Sequence, residues 1–513
     1  MPHGDHPAQA RRSRWPVRPC AVIALGLALL APDWAIAQTQ PTIDLKPCRV
    51  DGLGREARCG WIARALNPQH PSSNKDAAIQ IRVVVLPARS RVAKPDPVFF
   101  LAGGPGQSAI ELAPMLEGQF GRLLNRRDLV LVDQRGTGQS APLQCPNPSP
   151  TAPMSQGVDL SFLSKQLQAC MEAAQALPYG DLTAFTTTLA MQDLDAVRAA
   201  LGANQINLIG GSYGTRAGLE YLRLFPNRVR RLVLDGLAPP DGALPLSMGA
   251  DARAALLQHF DRCEADPHCH GQFPKLRAQW TALLSQPNVT IQGRHPITGQ
   301  AERFSMPSDL MWELSRLALY SPQVASLLPH AITQAASGNW NPFLGLLSLM
   351  NTHPRRPMAR AMHLSVLCSE DMPVIEGQVP GVRPLNQSDD ALKAVEAGLQ
   401  SYRLACKTWP RAKVDPEFYQ IRPTSSPVVL LSGGADPVTP PHHGARVARL
   451  LGDKARHEVV PNAGHGVMGL NCMRDTLFEF INAETDEQAQ AVRLDCARNL
   501  PSPMAFVPVG AQP

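Results

Sequence analysis

The apolar positions of this chain fall into short, nearly unbroken runs. Ile79 to Leu86 (IQIRVVVL) alternates and then turns wholly apolar; Pro97 to Ala102 (PVFFLA), Leu129 to Val132 and Val428 to Leu431 are apolar throughout, and Val229 to Leu234 (VRRLVL) ends in an apolar run. Runs of this length without a polar face are strands buried on both sides, as in a parallel sheet. Between several of them the spacing changes to that of helices. Leu160 to Leu177 and Thr186 to Leu201 are two such segments, and in the second Leu189, Leu194, Val197 and Leu201 lie near one face. Strands alternating with helices predict an α/β protein with a mostly parallel sheet flanked by helices.

The rhythm breaks from about Pro239 to Pro423. That stretch has helical patterns at Met248 to Cys263, Phe273 to Leu284, Pro307 to Leu319, Gln323 to Ala336 and Asp389 to Cys406, and lacks the strand–glycine alternation on either side. The expected organisation is a core of residues 38–238 and 425–498, interrupted by a helical cap over 239–424. Residues 38–75 look irregular apart from Trp61 to Leu66, residues 141–157 form a Pro-, Ser- and Asn-rich loop, and the tail 499–513 is Pro-rich.

Composition narrows the picture. The chain has 513 residues, 44% hydrophobic and 18% charged, the profile of a globular protein. Its net charge of +6 is small and scattered, which argues against a nucleic-acid partner. The N-terminus has the layout of an export signal over 1–37: Arg11, Arg12, Arg14 and Arg18, an apolar stretch Cys20 to Ala31, and Ala35-Ile36-Ala37 as cleavage site. That stretch is too short to span a bilayer, and no other run is long enough, so no stable membrane insertion is expected after cleavage. The protein is then periplasmic or extracellular. Of eleven cysteines, ten follow Cys20 in near-neighbour pairs: Cys48 with Cys59, Cys145 with Cys170, Cys263 with Cys269, Cys368 with Cys406, and Cys472 with Cys496. An even number in an exported chain reads as disulfides, with sequential pairing one of many connectivities the sequence leaves open.

The candidate chemistry centres on Gln205 to Phe225 (QINLIGGSYGTRAGLEYLRLF), where an apolar run leads into Gly210-Gly211-Ser212-Tyr213-Gly214 and then a helical segment. Gly-x-Ser-x-Gly between strand and helix is the signature of a nucleophile elbow. A chain of this length holds about 0.2 such patterns by chance, so the flanking strand and helix carry the assignment. A serine nucleophile needs a base, an acid to orient it, and donors for the oxyanion. Asp436 follows the strand Val428 to Leu431, and His465 follows a strand around His457 to Val460, giving the chain order Ser, Asp, His. Each has a structural alternative, because Gly-Ala-Asp-Pro is a common turn and a histidine between glycines suits a tight one. Asp235 competes for the acid role. The conjunction of order, strand context and glycine neighbours selects Ser212–Asp436–His465. The oxyanion donors are then the N–H of Tyr213 and that of Gly103 or Gly104.

These motifs together resemble a known family. Leu101-Ala102-Gly103-Gly104-Pro105-Gly106 resembles the His-Gly-Gly-Pro-Gly signature of prolyl aminopeptidases, and Gly210 to Thr215 looks like their elbow. Asp133 to Ser140 is similar to their Asp-x-Arg-Gly-x-Gly-x-Ser turn. Gly433 to Pro440 with Gly464-His465-Gly466 looks like the C-terminal segment of secreted tripeptidyl aminopeptidases. Ala102 departs from the prolyl enzymes, which have histidine there, and leans toward the tripeptidyl branch. The resemblance implies an α/β-hydrolase fold and an exopeptidase that acts on peptides with a free N-terminus through an acyl-enzyme. It maps an acidic anchor for the substrate ammonium onto Cys368-Ser369-Glu370-Asp371, with Glu370 first and Asp371 second. A carboxylesterase or lipase-like hydrolase would use the same machinery, and a non-catalytic binding module on the same scaffold is the alternative from another class.

No cofactor or catalytic metal is implied, and no phosphate loop or dinucleotide fingerprint occurs. Cys263…His268-Cys269-His270 has a metal-like spacing but reads as a disulfide with exposed histidines. His442-His443 opens a helix after two prolines and is expected to face solvent, as is the basic turn Arg355-Arg356…Arg360. The number of residues released, the side-chain preference and the oligomeric state are not encoded in any of these motifs.

Overall fold

A computed structural model describes residues 42–68, 78–146, 149–351, 358–383 and 399–508. The expected signal segment, Arg355-Arg356, residues 389–398 of one expected helix and the end of the tail lie outside these.

The apolar runs form strands of a nine-stranded sheet, and two further strands form a separate two-stranded sheet. In chain order the strands are β1 (Lys46–Cys48), β2 (Ala57–Ala65), β3 (Ala78–Leu86), β4 (Val98–Leu101), β5 (Leu129–Val132), β6 (Ile206–Gly211), β7 (Val229–Asp235), β8 (Asn288–Arg294), β9 (Ala301–Pro307), β10 (Val428–Gly433) and β11 (Ala455–Val460). The order in the larger sheet is β1-β2-β3-β5-β4-β6-β7-β10-β11, and β8 and β9 form the smaller one. β1, β2 and β3 form an antiparallel edge, and β3 meets β5 antiparallel. From β5 to β11 every pairing is parallel. The chain leaves β4 toward β5 on one side and returns as β6 on the other. The crevice at the C-terminal ends of β4 and β6 is therefore the topological switch point where open α/β sheets place their sites.

Alternate side chains of each strand enter different layers. Phe99 and Leu101 of β4 face one hydrophobic cluster, with Leu189, Val197 and Val447 of the helices on that side. Val98 and Phe100 face the other, with Leu116, Leu477 and Phe480. Burying a side chain such as Phe99, which is 0% exposed, contributes about 1.5–3 kcal/mol. The flanking helices of the first half are α1 (Ala113–Phe120), α2 (Leu160–Gln175), α3 (Thr187–Ala200) and α4 (Tyr213–Leu224). Thr186 caps α3 by accepting the Leu189 amide.

Two expectations need correction. The stretch 38–75 is not irregular, because β2 runs nine residues and pairs along its length with β3. The segment between β7 and β10 is not purely helical either. It carries α5 (Leu244–Ala265), α6 (Pro267–Gln272) and α7 (Leu276–Leu284), then the β8–β9 hairpin. After the hairpin come α8 (Leu310–Leu319), α9 (Pro322–Ala325), α10 (Leu328–Ala336), α11 (Asn341–Asn351), α12 (Arg360–Val366) and α13 (Met372–Ile375). Helical residues 399–406 form α14, and the core resumes with α15 (Pro441–Leu451), α16 (Asn471–Asn482) and α17 (Asp486–Ala491). The segment has its own hydrophobic cluster, in which Trp280 packs on Phe260 and Trp312 with ring centroids 6.0 and 5.1 Å apart. Val289 and Ile291 of β8 and Met306 of β9 belong to the same cluster, which is why the hairpin folds there.

All five sequential cysteine pairs are disulfides. Among the described residues no helix is long and apolar enough to cross a membrane.

Candidate active site

β6 runs to Gly211, and α4 starts at Tyr213 with no intervening loop. Ser212 makes the whole turn, at φ 55° and ψ −125°. A non-glycine residue at positive φ costs about 1–3 kcal/mol and persists only where its surroundings enforce it. Here the Ser212 amide donates to the Asp235 carbonyl of β7 at 2.8 Å, and the Ser212 carbonyl accepts from the Thr215 amide (2.8 Å) and hydroxyl (2.6 Å). The glycines have a steric reason. A Cβ on Gly210 would lie 2.4 Å from the Gly214 carbonyl oxygen, and one on Gly214 would lie 2.1 Å from that of Leu101. The elbow closes only because these side chains are missing.

Asp436 lies in the turn after β10 and is 1% exposed. Its Oδ1 accepts from the amides of Val438 and Thr439 at 2.9 Å each, and its Oδ2 accepts from the Thr439 hydroxyl at 2.6 Å. Oδ2 also lies 2.8 Å from His465 Nδ1. Burial, the largest influence, pushes this carboxyl up, but the imidazole and the Thr439 donors outweigh it and hold it below the usual carboxylate value. His465 shows the opposite balance. Burial pulls it down, while Asp436 and then Asp235 raise it above the ordinary histidine value. The His465 amide donates to the Tyr320 carbonyl at 2.9 Å, and the Tyr320 ring stands edge-on to the imidazole with centroids 5.0 Å apart.

The end of β7 joins the two halves of the site. Asp235 holds the Ser212 amide, and a Cβ on the next residue, Gly236, would lie 3.2 Å from His465 Cε1. Asp235 does not take the acid role. Its buried carboxylate accepts from the amides of Val467 (2.8 and 3.0 Å) and Met468 (2.8 Å), fixing the loop beyond His465. Burial raises its pKa to about 6 despite those donors.

The glycine loop after β4 meets the elbow. A Cβ on Gly103 would lie 3.1 Å from Ser212 Cβ and 3.2 Å from the Gly211 carbonyl oxygen. Gly104 and Gly106 adopt φ 109° and 113°, conformations that suit glycine. The loop is fastened from below by buried Asp133, which accepts from the Ser108 hydroxyl at 2.5 Å and the Ile110 amide at 3.3 Å. The Tyr213 amide, at the first position of α4, has no capping side chain above it, since Ser212 makes no cap bond. Loop and helix end are thus placed side by side around Ser212.

Glu370 and Asp371, the residues expected to anchor the substrate ammonium, are buried and already partnered within the protein. They occupy a π-helical turn, Leu367–Asp371, and are 1% and 0% exposed. Asp371 is bound bidentately by the fully buried Arg216 of α4 at 2.8 Å per contact, and its Oδ1 also accepts the Leu244 amide at 2.9 Å. Glu370 accepts from Thr187, whose hydroxyl lies 2.6 Å from that of Tyr213. A buried guanidinium requires such partners, and it recruits both carboxylates. The histidine pair is corrected in part as well. His442 is exposed, but His443 is buried with Nε2 2.8 Å from Asp251 Oδ2 of α5. Cys263 and Cys269 form a disulfide with His268 and His270 exposed beside it.

Several participants were not singled out from sequence. Thr439 carries a signal, an Asp-x-x-Thr turn in which the hydroxyl folds back on the carboxylate. Met358 carries none, yet the inserted segment presents it over the glycine loop, where a Cβ on Gly104 would lie 3.4 Å from its sulfur. Nearby the Ala359 amide donates to the Gly106 carbonyl at 2.9 Å, and half-buried His363 has its Nδ1 3.0 Å from the Pro105 carbonyl. Burial lowers the His363 pKa to about 4, so it is neutral and donates there.

Comparison with known proteins agrees with this architecture. Residues 96–265 match the family model described as alpha/beta hydrolase fold, and residues 393–491 match the one described as TAP-like protein. The chain is 30% identical over 214 residues to the tripeptidyl aminopeptidase of Streptomyces lividans, a match covering 39% of this chain and only 38% of that relative. It is 25% identical over 442 residues to the serine protease Hip1 of Mycobacterium tuberculosis, covering 80% and 82% of the two chains. It is 31% identical over 141 residues to the proline iminopeptidase of Neisseria meningitidis serogroup B, covering 28% and 32%. By its sheet, its elbow and these matches, the chain has an α/β-hydrolase fold, with a C-terminal segment that matches the TAP-like model.

Proposed function

We propose that the protein is an exported serine exopeptidase that hydrolyses peptides near a free N-terminus. The observation that carries the reading is the Asp436–His465 pair, 2.8 Å apart, together with a serine held at φ 55° in the turn from β6 to α4. With Nδ1–H of His465 donating to Asp436, Nε2 carries the lone pair and acts as base. His465 removes the Ser212 hydroxyl proton as Oγ attacks the scissile carbonyl carbon. The oxyanion is received by the Tyr213 amide and by Gly103 or Gly104. His465 then returns the proton to the leaving amine as the C–N bond breaks. Water, deprotonated by His465, cleaves the acyl-enzyme and regenerates Ser212.

The peptide class and the preference for a free α-amine are taken from the relatives named above, and Ala102 favours the tripeptidyl branch over strict proline release. Export rests on the sequence layout of residues 1–37 and fits the five disulfides. The test is labelling by a fluorophosphonate, expected in the wild type and lost in Ser212→Ala, joined to a comparison of tripeptidyl amides, single aminoacyl amides, N-blocked peptides and short acyl esters. Cleavage of free-amine amides well above the N-blocked ones is expected. Turnover of esters alone would overturn the peptidase assignment, and labelling that survives in Ser212→Ala would overturn the nucleophile.

A further inference from the structure

Asp251 of α5, on the inserted segment, meets two consecutive histidines of the core helix α15. His443 Nε2 lies 2.8 Å from Asp251 Oδ2, and His442 Nε2 lies 3.6 Å from Asp251 Oδ1. One ligand atom from each of the three residues falls within 4.8 Å of the others. Consecutive residues of a helix point about 100° apart, so two neighbouring imidazoles reaching one carboxylate is a convergence that helix geometry alone does not produce. The two rings are tilted to one another by 42°, with centroids 4.1 Å apart.

We propose that Asp251, His442 and His443 bind a divalent first-row transition ion of the zinc type, bridging the inserted segment to the core. Ligands at about 2.0–2.2 Å from zinc in tetrahedral array stand roughly 3.3 Å from one another, a spacing bracketed by the two contacts here. Two imidazoles and one carboxylate suit zinc, nickel, cobalt or copper, and are a poor set for magnesium or calcium, which select oxygen ligands. Asp251 and His443 are 3% and 1% exposed, while the His442 side chain is 51% exposed, so the ion has a fixed floor and an entry side where water completes the coordination. The neighbouring cation Arg446 pairs with Asp241.

α15 begins directly after the loop that holds Asp436 and Thr439, and the first residue of α5 donates its amide to Asp371. An ion at this point clamps the first helix of the insertion to the element that follows the acid. The ligands lie outside the catalytic set, so the inference stands apart from the proposed reaction.

The experiment uses the full-length purified protein, stripped with a chelator and dialysed. Zinc chloride is titrated by calorimetry and cobalt chloride by visible absorption, with calcium chloride as control. One equivalent of zinc, a tetrahedral cobalt spectrum and a zinc-dependent rise in Tm are expected, all absent with calcium. His442→Ala, at an exposed position, is expected to keep the fold by circular dichroism and to weaken zinc binding at least ten-fold with loss of the Tm rise. Asp251→Asn should do the same; should it fail to fold, the His442 variant decides. Absence of stoichiometric zinc binding by the wild type, or unchanged affinity in His442→Ala, would overturn the proposal and leave a hydrogen-bonded histidine–aspartate pair.

Discussion

Glu370 accepts two hydrogen bonds from one residue, Thr187: its Oε1 from the amide at 2.7 Å and its Oε2 from the hydroxyl at 2.9 Å. Thr187 in turn meets the Tyr213 hydroxyl at 2.6 Å, so the acidic residue supports the residue that follows the nucleophile. Glu370→Gln places an amide donor against the Thr187 donors. The expected outcome is a fall in kcat of about ten-fold, the scale of one misplaced buried hydrogen bond, equal for free-amine peptides and N-blocked esters. A rise in KM confined to free-amine substrates would restore Glu370 as a substrate anchor.

The same residue predicts a pH effect on stability. Burial, the largest influence, raises Glu370 from 4.5 to about 7 even against Arg216. Between those values the folded state binds more protons than the unfolded one, so this group's contribution to stability falls as pH rises. Denaturant unfolding of the wild type and of Glu370→Gln across that window should show a shallower decline in the variant. Parallel curves would refute the assignment.

Asp436→Asn should reduce kcat about 10⁴-fold, because the wrong imidazole tautomer is then favoured. The acid limb of kcat/KM should also move. In the wild type it is expected above the ordinary histidine value, since Asp436 raises His465. Without that charge, burial dominates and the limb shifts to lower pH. A pH–rate profile of both proteins checks the sign.

Thr439→Val removes the hydroxyl donor to Asp436 Oδ2 while leaving the backbone amide bond to Oδ1. A hydrogen bond to a charged group contributes about 1.5–3 kcal/mol, so kcat should fall ten- to hundred-fold with the fold intact. Thr439→Ser should recover most of it.

The legible parts of the molecule were those decided locally. β4, β5 and β10 are buried on both faces and read as unbroken apolar runs, and the three loops that leave β6, β10 and β11 carry their own turn chemistry. β2 was lost because a glycine and charged residues break its alternation and its partner is the antiparallel edge. β8 and β9 were lost because their outward positions are polar and only Val289, Ile291 and Met306 reach the cluster. Glu370 and His443 are different. Each is oriented by a partner far away in the chain, Thr187 and Asp251, and a sequence pattern carries no trace of a single long-range polar contact.

Disulfide removal should rank by loop length. Cys368–Cys406 closes 38 residues and ties the Glu370 turn to α14, while Cys263–Cys269 closes six. Chain-entropy scaling gives about 4 and about 2 kcal/mol respectively. Urea unfolding of the paired Cys→Ala variants should reproduce that order, and the first pair should also lower activity by loosening the Glu370 turn.

β7 and β10 are parallel neighbours, with Asp235 opposite Leu431, so the chain between them is formally one β–α–β crossover. A crossover of a dozen residues satisfies that topology. The strands that lead into the elbow, the acid loop and the histidine loop therefore need nothing from the insertion for their placement in the sheet, and selection can lengthen, shorten or exchange the roof while that strand order is kept, provided the new roof replaces the Tyr320 carbonyl that receives the His465 amide. One toll attaches to such an exchange. Arg216 lies inside the core with its counter-charges on the insertion, and a graft lacking a carboxylate at the Asp371 position strands a buried cation at about 3–5 kcal/mol. Roofs compatible with this core are recognisable by that carboxylate, whatever substrates they admit.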